Sequence, residues 1–539
     1  MKKYFLGFVA AFVLASSTIL AQNAPFQIAI EPVSIPDLIG VQAFAWGQHD
    51  GKWLIVGGRL DGLHRRQPFA SFDAQGNNAQ LMVIDPVAKK KWSTPLTTLS
   101  TSLQEQLSST NMEFYQENEM LYIVGGYGYS ATAANHITFP YLTAIRVSDV
   151  IDAVVNNNSF VASIRQITDT MFAVTGGYLN KINSTFYLTG GQKFTGRYNP
   201  MGPTHGPGFV QAYTNAVRKF NVSDDGINLS VTHLNSIVDP TNLHRRDYNV
   251  VAQIFPNGQQ GLTAFSGVFQ TNVDLPYLNS VNIDSSAYQV NNNFAQYYNH
   301  YHCAHVPLYS PSKNEMHTLF FGGIAQYYDS AGVMVQDNNV PFVKTIARVT
   351  RGSNGEMIEY KLPVEMPGFL GASSEFIPNE SAPFFNDDIL NLDEMLGDSL
   401  LIGYVFGGIS SSAANIFFVN TGTESIATNQ LLKVYLLKNN NSSIDVLNSQ
   451  SNGNFKMQVF PNPNNGKFSV KFNMKTMGTA YLSIFDVNGR LIEKIELTDL
   501  QMGENTFTKQ IDAIEQSSVF FVQLEIAREK AVQKIVLER

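Results

Sequence analysis

The run Leu121-Tyr122-Ile123-Val124-Gly125-Gly126, apolar and β-type until it stops on two glycines, is written repeatedly along the chain. Copies stand at residues 53–58, 186–191, 318–323 and 403–408, and a worn copy at 262–267 carries Ser266 in place of the first glycine. A glycine pair after a strand lets the backbone take positive φ and approach a neighbouring chain where a Cβ would collide. Six copies of one supersecondary unit therefore organise the chain, each roughly 55 to 85 residues from the next. That pattern announces an architecture of repeated small sheets and announces no reaction.

The full length of 539 residues exceeds one ordinary domain, and repeat folds of β-sheet run long as single units. Only 15% of residues are charged, Phe and Tyr are plentiful, and long helix-period patterns are hard to find, which points to an all-β chain. The net charge of -8 and the lack of a Lys/Arg stripe argue against a nucleic-acid partner. Lys2-Lys3, a short apolar stretch and small residues running to Ala21 read as a secretory signal peptide over residues 1–21. No later run is long and apolar enough to read as a membrane-spanning helix, so no integral membrane segment is expected after the signal. Cys303 is the only cysteine, so no internal disulfide is available and burial as a small hydrophobe is expected for it.

Within the first unit a strand after Val41, the turn His49-Asp50-Gly51, the strand ending on Gly57-Gly58, the strand 80–85 and Trp92 follow in order. Four strands per unit make one propeller blade. The glycine pair, the strand Leu81-Met82-Val83-Ile84-Asp85-Pro86 and the Trp that follows resemble the kelch repeat. This implies an all-β, six-bladed kelch-like β-propeller over residues 26–438, with loop insertions in each blade. Gly176-Gly177 form an extra pair, read as part of the third unit's first strand. The strand at residues 26–30 is expected to pair with 431–437 in the sixth sheet, which would remove an open edge.

Residues 439–455 are rich in Asn, Ser and Gly and read as a flexible linker. Beyond it, residues 456–539 carry seven short alternating segments, as an immunoglobulin-like β-sandwich requires. Val459-Phe460-Pro461-Asn462-Pro463, Ile484-Phe485-Asp486-Val487-Asn488-Gly489-Arg490 and Lys534-Ile535-Val536 resemble the C-terminal sorting domain of the type IX secretion system. That resemblance implies export by the outer-membrane secretion machinery as a partner. It also implies a location in the medium or on the outer-membrane surface of a Gram-negative bacterium of the Bacteroidetes type.

In a four-stranded blade the loop from second to third strand and the link into the next blade share one face, and such loops commonly carry binding residues. On that face the candidates are Arg65, Arg66, Tyr127, Arg197, His205, Arg245, Arg246, His300, His302 and Tyr327. Two Leu-His-Arg-Arg strings, at 63–66 and 243–246, fall in the first and fourth units, across the axis of a six-fold ring. Guanidinium forks and aromatic faces suit a ligand bearing carboxylate or sugar hydroxyl groups. A purely structural role between blades stands as the alternative for Arg245 and Arg246.

His300, His302 and His305 surround Cys303, but strand alternation would put the first two on one face and Cys303 with His305 on the other, so no metal site or cofactor is assigned. The acidic residues Asp387, Asp388, Asp393, Glu394 and Asp398 lack the spacing of a calcium loop. No nucleophile elbow, zinc-helix motif or phosphate-binding glycine loop occurs. The reading is a secreted or surface module that binds a glycan, peptide or protein. Two alternatives stay open by family analogy: an enzyme of sugar chemistry resembling the kelch-like sialic acid mutarotases, and a kelch-type copper oxidase.

Overall fold

In the computed structural model each repeated glycine pair, and Ser266-Gly267 in the worn copy, follows the second strand of a sheet built on four antiparallel strands, to which the fifth sheet adds a short parallel one. The structure describes residues 25–438 and 457–537, apart from 68–69, 203–207, 287, 331, 396, 463, 475, 486–490, 512–517 and 527–528. The signal-peptide and linker expectations, and His205, lie outside these residues. Two compact units are present, Met1–Lys438 and Asn439–Arg539.

In the larger unit six such sheets follow one another along the chain. Their innermost strands are Ala45–His49, Glu113–Glu117, Tyr178–Ile182, Asn249–Ile254, His305–Ser310 and Glu375–Pro378. The sixth sheet is completed from the other end of the chain: Phe26–Val33 pairs antiparallel with Leu431–Lys438, Phe26 opposite Lys438 and Val33 opposite Leu431. This clasp matches the expectation and leaves neither strand with an unpaired inner edge.

Apolar side chains fill every gap between consecutive sheets. Leu54 and Val83 of the first sheet pack with Leu121 and Ile123 of the second, and Val124 meets Leu188 between second and third. Val217 and Val250 join the third to the fourth, Phe265 and Phe320 the fourth to the fifth, Leu319 and Val405 the fifth to the sixth. Trp53 and Phe406 bring the sixth back to the first. The succession of sheets thus closes on itself, as in a β-propeller.

Two circuits of backbone hydrogen bonds run around the same axis. In the outer one, the second glycine of each pair donates its N–H to a carbonyl in the link entering the next sheet: Gly58 to Ser109, Gly126 to Val174, Gly191 to Arg245, Gly267 to His300, Gly323 to Leu370 and Gly408 to Val41, at 2.8–3.2 Å. The inner circuit joins one residue from each link: Asn111 donates to Ala43, Gly176 to Asn111, Asp247 to Gly176, His302 to Asp247, Ser373 to His302, and Ala43 back to Ser373, at 2.7–3.2 Å. Close approach explains the glycines. A Cβ on Gly125 would lie 1.9 Å from the Val174 carbonyl oxygen, and on Gly322 2.1 Å from that of Leu370. The worn copy keeps the geometry, since Ser266 has φ 46° and adopts the same left-handed turn.

Gly176-Gly177 stand before the third sheet's first strand, with Gly176 in the inner circuit, and the fifth sheet's first strand begins only at His305. Residues 300–304 form the link instead of the strand expected there. Among the described residues two α-helices also interrupt the all-β pattern, Thr101–Leu107 and Val147–Asn156, the second burying Val147, Val150, Ile151 and Val154 against the first two sheets. Loop insertions build small extra sheets, among them Tyr127–Ser130, Asn135–Thr138, Gln192–Thr195 and Val210–Tyr213 in one four-stranded sheet.

Among its described residues the smaller unit has seven strands in two sheets around Phe468, Val470, Leu482, Ile484, Val522 and Ile535, the β-sandwich the alternation requires.

The glycine account makes a quantitative expectation. Gly125→Ala combines left-handed strain with a collision and should cost about 2–5 kcal/mol. Gly51→Ala, at φ 73° with nothing within 4 Å of the new Cβ, should cost only about 1–2 kcal/mol. Denaturant unfolding of the two variants measures the difference, and equal losses would contradict it.

Candidate functional site

The loop-face residues are placed at one end of the ring, but most spend their polar groups inside the protein. Arg245 is fully buried: its guanidinium donates to the carbonyls of Asn242, Ser266 and Asn279 and to Asn279 Oδ1, and lies 4.2 Å from the Tyr277 ring centre. It is a structural arginine. Arg246 pairs with Asp247, bonds Tyr213 Oη at 3.0 Å and covers Phe269. Tyr127, buried, donates to Gly196 and accepts from the Tyr198 N–H, and Arg197 donates to the Ser71 carbonyl at 2.7 Å. Tyr327 meets Tyr297 edge to face. Arg66 lies over Phe418, while Arg65 is exposed.

The two Leu-His-Arg-Arg strings do approach each other. Burial, together with the Arg246 charge, lowers the His64 imidazole to about 4 and keeps it neutral. Arg246 and His64 are thus brought together with Tyr198 and Tyr213, whereas Arg65, Arg66 and Arg245 point elsewhere.

The histidines around Cys303 are equally committed. His300 donates from Nε2 to the Gln296 carbonyl and accepts the Gln326 N–H at Nδ1. His305 donates from Nδ1 to the Cys303 carbonyl and accepts from Tyr178 Oη at Nε2. His302 Nε2 is 2.7 Å from Glu375 Oε1. Burial opposes a charge on His302, but its contact with Glu375 outweighs that and raises the imidazole. Cys303 is buried between the fourth and fifth sheets, its thiol pushed up to about 12 by burial. With both ring nitrogens of His300 and His305 engaged, these residues do not fit a copper centre. Among the described residues no three His, Cys, Asp or Glu side chains are grouped to hold a metal ion.

A cavity of about 790 Å³ lies along the axis, on the far side of the inner circuit from the loop face, and all six innermost strands line it. Trp46, Phe114, Tyr115, Tyr178, Phe376 and Phe384 supply aromatic walls; Gln48, Asn180, His305 and Glu375 supply polar groups. Trp46 Nε1 and Asn180 Oδ1, on two of the lining residues, are buried and have no hydrogen-bond partner. The cavity opens where exposed Asn118, Glu119, Glu380 and Asp387 stand. Among the described residues no Lys or Arg lines it.

Part of the mouth is spanned by a strap from the sixth sheet, residues 379–391. Glu380 accepts the Gly51 N–H of the first sheet, Asp388 accepts from Tyr115 Oη of the second at 3.1 Å, and Leu390–Asn391 adds a short parallel strand to the inner edge of the fifth. Burial and the adjoining Asp387 raise the Asp388 carboxyl to about 6. Asp393 accepts from Ser310 Oγ and the Ser312 N–H, so this acidic stretch fastens a loop. Sequence reasoning overlooked the cavity residues. Aromatic or amide residues in the first strand of several repeats, at Trp46, Phe114, Tyr178 and Asn180, were the available signal.

Residues 458–538 match the family described as a secretion system C-terminal sorting domain. Among curated proteins no relative matches the chain. Two solved structures resemble it at low identity. One is described as the structure of YjhT, with 11% identity, 75% of this chain and 99% of that chain covered, and a TM-score of 0.41. The other is described as a novel fungal alcohol oxidase with catalytic diversity among the AA5 family, in complex with copper, with 8% identity, 96% and 100% covered, and a TM-score of 0.38.

One buried acid near the circuit makes the fold pH-sensitive. Glu113, 2% exposed, accepts the Gly177 N–H at 2.7 Å through Oε1, while Oε2 has no partner. Burial pushes its carboxyl up to about 8, against the pull of the Gly177 N–H. A raised acid favours the folded state below its unfolded value and loses that contribution as pH climbs through its folded value. The melting temperature should therefore fall between about pH 4.5 and about pH 8, and Glu113→Gln should flatten that fall. Parallel profiles for the two proteins would contradict the assignment.

Proposed function

We propose that this chain, which ends in a type IX secretion sorting domain, is an exported binding module whose propeller receives a glycan or peptide ligand in its axial cavity. The observation that carries the reading is the cavity itself: six innermost strands frame one open space with aromatic walls and a few polar side chains, Gln48, Asn180, His305 and Glu375. Apolar concavities with a few placed polar groups are where proteins take ligands. A rigid ring holds those groups in place without ordering a loop, which lowers the entropic cost of binding.

The alternative of sugar-acid chemistry draws no support from the arginines. Arg245 has no free donor pointing outward and Arg246 is neutralised by Asp247. A surface role on the loop face rests on Arg65, Arg66 and the exposed Phe418 and Val419 beside them.

Export and binding are separately testable. Removing residues 456–539 should leave the protein behind the outer membrane, while the full chain reaches the medium or cell surface; equal release of both would contradict the role of the tail. On glycan and peptide arrays the full chain should bind, and Ala252→Trp, which places an indole in the cavity lining, should abolish that binding. Arg66→Ala should leave it intact. Binding lost in Arg66→Ala and kept in Ala252→Trp would move the site to the loop face.

A further inference from the structure

We infer that the axial cavity, read as the binding site above, selects a ligand that presents an ammonium or guanidinium group on an apolar stem, such as a lysine or arginine side chain of a peptide. The first support is charge. The mouth carries Glu119 from the second sheet and Glu380, Asp387 and Asp388 from the strap, and among the described residues no Lys or Arg lines the cavity beside them. Lys181, whose charge reaches Asp388, is itself paired with Glu117. A cleft lined by one sign of charge and walled by protein concentrates its field on an entering ion of the other sign.

The interior does not cancel that field. His305 is held neutral, since burial lowers it to about 4 and both its nitrogens are engaged. His302 Nε2 is held by Glu375 Oε1 at 2.7 Å, so it brings no unpaired cation to the cavity.

The second support is the walls. Trp46, Phe114, Tyr115 and Tyr178 come from the innermost strands of three consecutive sheets. Aromatic faces attract cations through the ring quadrupole and accept a methylene stem equally well. An anion would meet the same carboxylates and the same ring faces and be repelled by both. Asp388 is positioned by Tyr115 Oη across the mouth, so one carboxylate stands against the aromatic wall where an entering cation passes.

The test uses the full chain and four matched probes, N-acetyl N′-methylamides of lysine, Nε-acetyl-lysine, norleucine and glutamate, titrated by ligand-observed NMR at low and moderate salt. The lysine probe should bind about tenfold tighter than its Nε-acetylated form, weaken as salt rises, weaken at least threefold in Asp388→Asn, and lose binding in Ala252→Trp. Asparagine can still accept from Tyr115, so that variant removes charge without removing the strap's anchor. Equal binding of the neutral probes, or tighter binding of glutamate, overturns the cation class while leaving the cavity as the site. Lysine binding that survives Ala252→Trp overturns the cavity reading. Absence of binding by all four overturns both.

Discussion

Six backbone N–H groups, each donating to the carbonyl of the preceding link, close a circuit around the axis of the larger unit, and the rest of the architecture hangs on it. The members Ala43, Asn111, Gly176, Asp247, His302 and Ser373 come from six separate repeats, and five of them take positive φ. Each such bond contributes only about 1 kcal/mol net, but an unmade one would leave a buried donor and a buried carbonyl without partners. The circuit therefore admits no missing sheet. It sets where every innermost strand begins and so aligns all six around one space.

The glycine pairs serve the same end one step further out. At Gly125 a Cβ would strike the Val174 carbonyl, a collision that glycine removes, while Ser266 makes the same left-handed turn in the worn copy with the longest bond of the outer circuit, 3.2 Å from Gly267 to His300. Apolar packing then fills the gaps between sheets, and the N-terminal strand closes the last one. With each link at one end of the axis and each first turn at the other, the inner strands enclose the cavity between them. Its walls are whatever side chains those strands turn inward.

Much of this was legible in the residues. The glycine repeat marks every second strand, the segment at 26–30 pairs where a clasp is needed, and the wording around Val459-Phe460-Pro461 identifies the exported tail. What escaped is instructive. Val147–Asn156 is a ten-residue helix whose apolar face fits a helical period, but a single short amphipathic segment is lost among β-type repeats. The two Leu-His-Arg-Arg strings are identical in sequence and opposite in fate: Arg65 is exposed while Arg245 is sealed among Asn242, Ser266 and Asn279. Only tertiary contacts distinguish them. The cavity was harder to see for the same reason: aromatic or amide residues recur in the first strands, at Trp46, Phe114, Tyr178 and Asn180, but only the closed ring brings them around one space.

The closed circuit is most directly tested by amide hydrogen exchange of the full chain, read at peptides covering the six links. Donors locked in one cooperative ring exchange only when the ring opens. The N–H groups of Ala43, Asn111, Gly176, Asp247, His302 and Ser373 should therefore be protected to a common degree, comparable to the innermost strands. Rapid exchange at any one link, with protection kept at the others, would show that the ring is not closed there and would contradict the account.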